Sequence, residues 1–110
     1  MTNKRIVFST AGSEDEARRI ARELVERRLA ACVNIIPRIE SIYRWQGNVE
    51  SAQEWLLLIK TSSERFIAVR DAIREMHSYE LPECIAIEIE DGIAEYLKWI
   101  ADAVTKKESL

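Results

Sequence analysis

The chain has 110 residues and a net charge of −3, and 47% of its residues are hydrophobic while 32% are charged. This length suits one domain with one core, and the composition excludes intrinsic disorder. A net negative charge gives no chain-wide basic field, so we expect neither nucleic acid nor a membrane as partner. Two cysteines and the lack of a secretory or membrane-spanning segment predict a single cytoplasmic domain over residues 1–110.

The first quarter of the chain predicts a strand followed by an amphipathic helix. Residues 4–11 contain a β-branched and aromatic run that ends before Gly12, which is typical of a buried strand. Ser13 and Glu16 have the spacing of a capping box, in which each side chain bonds the other residue's backbone N–H. Apolar residues then recur at helical spacing on one face: Ala17, Ile20, Ala21, Leu24, Val25 and Leu29.

Two long apolar runs, residues 31–45 and 49–61, are joined only by Gln46-Gly47-Asn48. This pattern predicts a β-hairpin with a three-residue loop. A single strand of this hairpin, such as residues 49–61, extends about 40 Å. A domain of this size has a radius of gyration of about 13 Å, so we expect the hairpin to project beyond the rest of the domain. Pro37 cannot donate to a ladder and predicts an edge or a bulge where the arm bends. Pairing Trp45 with Val49 predicts the cross-strand pairs Arg44–Glu50, Glu40–Glu54 and Ile35–Ile59.

The second half of the chain predicts a helix, a strand and a further helix. Residues 61–64 (TSSE) form a second capping signature, followed by an apolar helical face that ends near His77. After a connector over residues 78–83, apolar residues alternate with other types in a half-buried strand, and Asp91-Gly92 then precedes a last helix. We expect a polar tail from Lys106. The expected apolar positions of the helices and strand are Phe66, Val69, Ile73, Met76, Ile85, Ile87, Ile89, Ile93, Tyr96, Leu97, Ile100 and Val104.

The order β-α-β-β-α-β with an added C-terminal helix predicts an α+β, ferredoxin-like fold with both long helices on one face of the sheet. The other face has no predicted helical cover. The aromatic residues of the hairpin, Tyr43, Trp45 and Trp55, would also expose an apolar patch. One bare sheet face and a projecting hairpin favour a closed ring of subunits in which the sheets pack together.

Five segments of the chain carry a family pattern: residues 29–34 (LAACVN), 43–47 (YRWQG), 59–61 (IKT), 77–83 (HSYELPE) and 96–99 (YLKW). Together they resemble the CutA divalent-ion tolerance proteins over nearly the whole chain. The resemblance implies a homotrimer of ferredoxin-like subunits, with hairpins packed around the threefold axis, clefts between subunits, and a function in tolerance of divalent metals.

The same resemblance implies a candidate copper site, because copper binding is a reported property of some members. It places His77 as a ligand, with Cys32 within reach of the same cleft. Members with copper sites carry Cys at the position of Ser9 and His at the position of Met76. Cu(II) prefers imidazole nitrogen, and this chain has one His. The implied cofactor is therefore Cu(II) or another divalent cation, or none.

Each of these residues also has a purely structural interpretation. Cys32 and Cys84 lie in strand-like runs, where free cysteine behaves as a small buried apolar residue. His77 follows Met76 at a helix C-terminus, where a cationic imidazole is electrostatically favourable. The sequence has no P-loop, no G-x-S-x-G, no G-x-G-x-x-G and no C-x-x-C, so we predict neither an enzyme nor a closed zinc site.

Two hypotheses of different classes remain. In the first, intersubunit clefts gather His77 and Cys32 as metal ligands beside Tyr79, Glu83 and Lys60. In the second, the protein is a trimeric signalling or scaffold protein similar to the nitrogen-regulatory PII trimers, and its cleft binds a small anion near Lys60 or its hairpins contact an unidentified protein partner.

Overall fold

The computed structural model describes residues 2–105. Within this range the chain forms four strands, three α-helices and one turn of 3₁₀ helix. In chain order they are β1 (Lys4–Ala11), α1 (Glu14–Glu26), β2 (Cys32–Trp45), β3 (Asn48–Ser62), the 3₁₀ turn (Ser63–Arg65), α2 (Phe66–Met76), β4 (Ile85–Glu88) and α3 (Ala94–Ala103).

The four strands form one antiparallel sheet in the order β2-β3-β1-β4. This order, with α1 after β1 and α2 after β3, is the ferredoxin-like arrangement, so the predicted fold class is confirmed. Both helices share one core with alternate strand residues, and we call this side the inner face. Its fully buried residues include Val7, Ile20, Leu24, Leu57, Ile59, Val69 and Ile73.

The hairpin between β2 and β3 differs from its predicted register. Trp45 pairs with Asn48 rather than Val49, so the loop has two residues, Gln46 and Gly47, both with positive φ (50° and 84°). The predicted three-residue loop was wrong because a two-residue turn of this handedness matches the twist of the flanking strands. The predicted cross-strand pairs were therefore wrong as well: Arg44 faces Val49, Glu40 faces Gln53 and Ile35 faces Leu57.

A bulge interrupts the hairpin next to Pro37, as predicted. The register shifts between Ile36 and Ile39, and Arg38 takes a positive φ of 59°. The shift offsets the pairing by one residue between the two sides of the bulge: Ile36 faces Leu56, whereas Ile39 faces Glu54. The molecule measures 50 × 31 × 21 Å along its principal axes, and this elongation agrees with a long hairpin.

The two predicted capping signatures behave differently. Ser13 caps α1, since its hydroxyl accepts from the Glu16 backbone N–H at 3.2 Å. The Glu16 carboxylate does not complete the box, because it accepts hydrogen bonds from Ser78 instead. The second signature was wrong: Ser62 makes no side-chain capping bond, and a 3₁₀ turn precedes α2. Helix α2 ends at Met76 with His77 as its C-cap, as predicted.

Helix α3 covers only one end of the second sheet face, which we call the outer face. Ile100 and Val104 are buried against Ala31. Two arginines from other elements hold the helix C-terminus: Arg28 Nη1 donates to Ala103 O at 3.3 Å and Arg65 Nε donates to Val104 O at 2.8 Å. Among residues 2–105, no helix has the length and hydropathy needed to cross a membrane. The predicted tail from Lys106 lies outside the described residues.

Much of the remaining outer face is apolar and partly or largely exposed, with Asn34 and Lys60 as polar neighbours on the same side of the sheet. Its members are directly opposite one another across β2, β3, β1 and β4, so they share one side of the sheet. Ile85 and Ile87 are 56% and 54% exposed. The bare face that the sequence predicted is therefore present. We call this set the outer patch: Ile6, Phe8, Ile36, Leu56, Leu58, Ile85 and Ile87.

Candidate functional site

His77 is held in a buried position at the end of α2. Its Nε2 lies 2.6 Å from Thr10 O, at the end of β1, and its Nδ1 accepts from the Tyr79 backbone N–H at 3.0 Å. A carbonyl can only accept, and a backbone N–H can only donate. The ring is therefore the neutral tautomer with its proton on Nε2, and both nitrogens are occupied within one subunit.

Glu16 lies beside this histidine. Its carboxylate accepts from Ser78 N at 2.8 Å and from Ser78 Oγ at 3.0 Å, and it lies 3.9 Å from His77 Nδ1 and 3.7 Å from Arg19 Nη2. Burial alone would raise the pKa of Glu16, but the Ser78 hydrogen bonds lower it below the ordinary value. Glu16 thus ties α1 to the connector that follows α2.

The sequence analysis assigned Glu16 to the capping box and missed this second contact. A signal was available, because Glu16 precedes Ile20 by four residues and therefore lies on the apolar stripe of α1. A carboxylate at such a position requires a partner inside the fold.

Tyr79 links the connector to the hairpin. Its hydroxyl donates to Glu54 Oε2 at 2.8 Å, and its ring centre is 4.6 Å from that of His77. Burial and the Glu54 carboxylate raise the pKa of Tyr79, so the phenol stays protonated at neutral pH. A Cβ at Gly12 would lie 2.9 Å from the Tyr79 hydroxyl oxygen, so a larger residue here would displace that hydroxyl.

Two glutamates flank Tyr79. Glu54 is buried, and sequence reasoning did not select it. Burial and the nearby Glu54 raise the pKa of the Glu83 carboxyl above its usual value. The structure therefore brings together three of the predicted site residues, His77, Tyr79 and Glu83, and adds Glu16 and Glu54. We call these five residues the connector cluster.

Cys32 and Lys60 form a separate group. They face each other across β2 and β3, in register with Ile6 on β1. Thr10, which binds His77, lies four residues further along β1, or about 13 Å at the rise of a strand. The Lys60 ammonium is 5.8 Å from the centre of the Tyr96 ring of α3, within the range of a cation–π contact. The predicted site residues thus fall into two groups within one subunit.

The described residues of a single subunit do not fit a metal ion. Over residues 2–105, no three His, Cys, Asp or Glu side chains are grouped so that they could hold one. The Ser9 hydroxyl is buried in the inner face without a hydrogen-bond partner in that same range, and Met76 packs against the core. Cys84 is also unsuited, because burial raises the pKa of its thiol.

Comparison with known proteins places the chain in a family. The family model described as CutA1 divalent ion tolerance protein matches residues 5–103. The divalent-cation tolerance protein CutA of Thermus thermophilus is 48% identical over 97 residues, which are 88% of this chain and 94% of that protein. The Archaeoglobus fulgidus protein of the same name is 49% identical over 98 residues, or 89% and 95%. The chain belongs to the CutA1 divalent ion tolerance family.

Solved structures of family members have the same fold. The CutA structure from Xylella fastidiosa superimposes with a TM-score of 0.93 at 41% identity, covering 94% of this chain and all of that one. The structure described as the periplasmic divalent cation tolerance protein CutA from Archaeoglobus fulgidus gives 0.90 at 47% identity, covering 93% and 99%. The family resemblance and the fold predicted from the sequence are confirmed. The family description refers to tolerance of divalent ions and states no reaction.

Proposed function

We propose that the protein serves in tolerance of divalent cations as a non-enzymatic cytoplasmic homotrimer, and that it binds copper or another divalent cation in clefts between subunits. Membership of the CutA1 family is the observation that carries the proposal. Trimer assembly and metal binding go beyond family membership, and a different feature of the subunit supports each of them.

The outer patch supports self-assembly. It is formed by adjacent strands, is apolar across the sheet, and is only partly covered by α3. An exposed contiguous apolar surface is typical of an interaction site. A second copy of the same chain is a suitable occupant because its own outer patch needs the same cover, and closed rings satisfy every subunit equally.

The separation of the two residue groups supports a shared metal site. Cys32 with Lys60 and the connector cluster lie apart within one subunit, so only a neighbouring subunit could complete a donor set that includes both His77 and Cys32. Imidazole nitrogen and thiolate sulfur are the donors that copper and zinc prefer. Ligation by His77 requires that one ring nitrogen leave its present partner, Thr10 O or Tyr79 N.

Native mass spectrometry with and without added Cu(II) or Zn(II) tests both steps. We expect a trimer that takes up metal saturably, with uptake lost in His77→Ala and Cys32→Ser. Cys84→Ser is the matched control, since Cys84 immediately precedes β4 and belongs to neither group. A monomer at micromolar concentration would refute the assembly, and uptake unchanged in His77→Ala would refute the site.

Lys60 favours a second candidate function, the binding of a small anion in the cleft of a PII-like signalling or scaffold trimer. Lys60 forms no ion pair with residues 2–105, and its ammonium lies beside Tyr96. Calorimetric titration with tripolyphosphate tests it. Tripolyphosphate binding that is lost in Lys60→Ala and kept in His77→Ala would support this candidate. The absence of any heat of binding would exclude tripolyphosphate as a ligand of the cleft.

A further inference from the structure

A cavity lies at the opposite end of β1 from His77. Its volume is about 360 Å³, within the range of small-molecule sites. The start of β1, the end of β3, the 3₁₀ turn and the end of α3 surround it, so its walls come from four elements rather than from one mobile loop. The described residues that carry the argument are Asn3, Lys4, Ser62, Glu64 and Arg65.

Lys4 is the unusual member of this wall. Lys4 is only 8% exposed, and a buried lysine is rare unless it is paired with an anion. Within residues 2–105 it forms no ion pair, and the hydrogen-bond acceptor of its ammonium is the neutral Asn3 side-chain oxygen. A desolvated charge with a neutral partner is costly, so an anion in the cavity would relieve that cost.

Arg65 adds a second cation to the same cavity. Its Nε donates to Val104 O at 2.8 Å, which both orients the guanidinium and satisfies a carbonyl at the negative end of α3. Its other donors form no ion pair with the described residues. A guanidinium fork matches the oxygens of phosphate in two-point contact.

The remaining polar groups do not cancel this positive charge. Glu64 lines the cavity, but it is exposed and accepts from Asn3 Nδ2 at 3.3 Å. Lys4 and Arg65 together outweigh it by one charge. The Ser62 hydroxyl lies on the same wall and is a further donor. The wall therefore offers two cations and a hydroxyl to a single occupant.

We propose that this cavity binds a tetrahedral oxyanion, either free inorganic phosphate or the phosphate group of a small metabolite, through Lys4, Arg65 and Ser62. The site is distinct from the connector cluster and from Lys60. It gives the protein a ligand besides a metal, and it does not depend on the proposed metal site.

Phosphorus NMR and calorimetric titration of the full-length protein test the proposal, with inorganic phosphate and glycerol 3-phosphate as separate probes. We expect saturable binding of at least one probe, and tighter binding of one of them identifies the source of the phosphate. Lys4→Met should weaken binding at least tenfold, whereas Lys4→Arg should retain it. Lys98→Met, at an exposed lysine of α3 that does not line the cavity, is the matched control and should bind like the unaltered protein.

Two results would overturn the proposal. One is no saturable binding of either probe at millimolar concentration. The other is binding that survives in Lys4→Met or disappears in Lys98→Met, which would place the anion elsewhere. Circular dichroism of each variant checks that a loss of binding is not caused by a loss of fold. Arg65→Gln provides an independent second variant and should also weaken binding at least tenfold.

Discussion

The two faces of the sheet are built from the same strands and yet have different surroundings. Alternate residues of β1 and β3 are fully buried on the inner face under α1 and α2, as Val7 and Leu57 are. Their immediate neighbours on the outer face, such as Ile6 and Leu58, are only partly buried. The inner face therefore stabilises the subunit, and the outer face is available for association. Substitutions on the two faces should separate stability from assembly.

The largest expected effect comes from truncating the inner face. Leu57→Ala should lower the free energy of unfolding by about 2–5 kcal/mol, because it leaves a cavity in a fully packed site. Ile42→Ala, at a 70% exposed position of the hairpin, is the control and should change it by less than about 0.5 kcal/mol. Urea denaturation below the concentration at which subunits associate measures both. Equal losses in the two variants would contradict the distinction between core and exposed positions.

A charge on the outer face should break assembly without unfolding the subunit. Ile87→Lys places an ammonium on the edge strand of the outer patch, where a like patch of another subunit would have to desolvate it. We expect the mass measured by light scattering to fall from trimer to monomer. Ile67→Lys is the matched control, because Ile67 is 60% exposed on α2, outside this patch. A trimer that tolerates Ile87→Lys would place the interface elsewhere.

Removal of the Glu16 charge should reduce stability in a pH-dependent way. The pKa of Glu16 is lowered in the folded state, so its stabilisation is present above the unfolded pKa and is lost as the pH falls through the folded one. Glu16→Gln should cost about 1–3 kcal/mol at pH 7 and less at acidic pH. Urea denaturation from pH 7 to pH 3 checks this. A cost that stays constant over that range would show that the charge is irrelevant. Exposed Glu14→Gln provides the control.

The smallest expected effect compares the starts of the two helices on the inner face. Ser13→Ala removes the hydrogen bond to Glu16 N and should cost about 1 kcal/mol. Ser62→Ala removes no capping bond and should cost less than about 0.5 kcal/mol. Thermal unfolding in phosphate-free buffer measures both. A larger loss for Ser62→Ala would mean that its hydroxyl has a stabilising role that the cap geometry does not explain.

The fold was more predictable than the site because it depends on local patterns. The period of the apolar residues gave the order of the strands and helices, and Pro37 located the bulge. The hairpin register could not be obtained in this way. It depends on whether Gln46 and Gly47 alone turn the chain, and a difference of one residue changes every cross-strand pair.

The site was only partly predictable because its contacts join residues far apart in the chain. His77 and Tyr79 were selected from a family pattern, but the pattern does not show that Thr10 and the Tyr79 N–H occupy both imidazole nitrogens. Glu54 gave no sequence signal, since a glutamate in a half-exposed strand is ordinary until Tyr79 donates to it. Cys32 lies with Lys60 rather than with His77.

The sequence by itself determined the secondary structure, the family and the presence of one bare sheet face, because each of these follows from residue type and spacing along the chain. Tertiary structure alone decided which polar groups meet. The partners of Glu16 and Tyr79 lie 62 and 25 residues away, and only the packing of α1, α2 and the hairpin brings them within hydrogen-bond distance. Burial makes each of these hydrogen bonds important for stability, since a polar group removed from water must find its partner inside the fold.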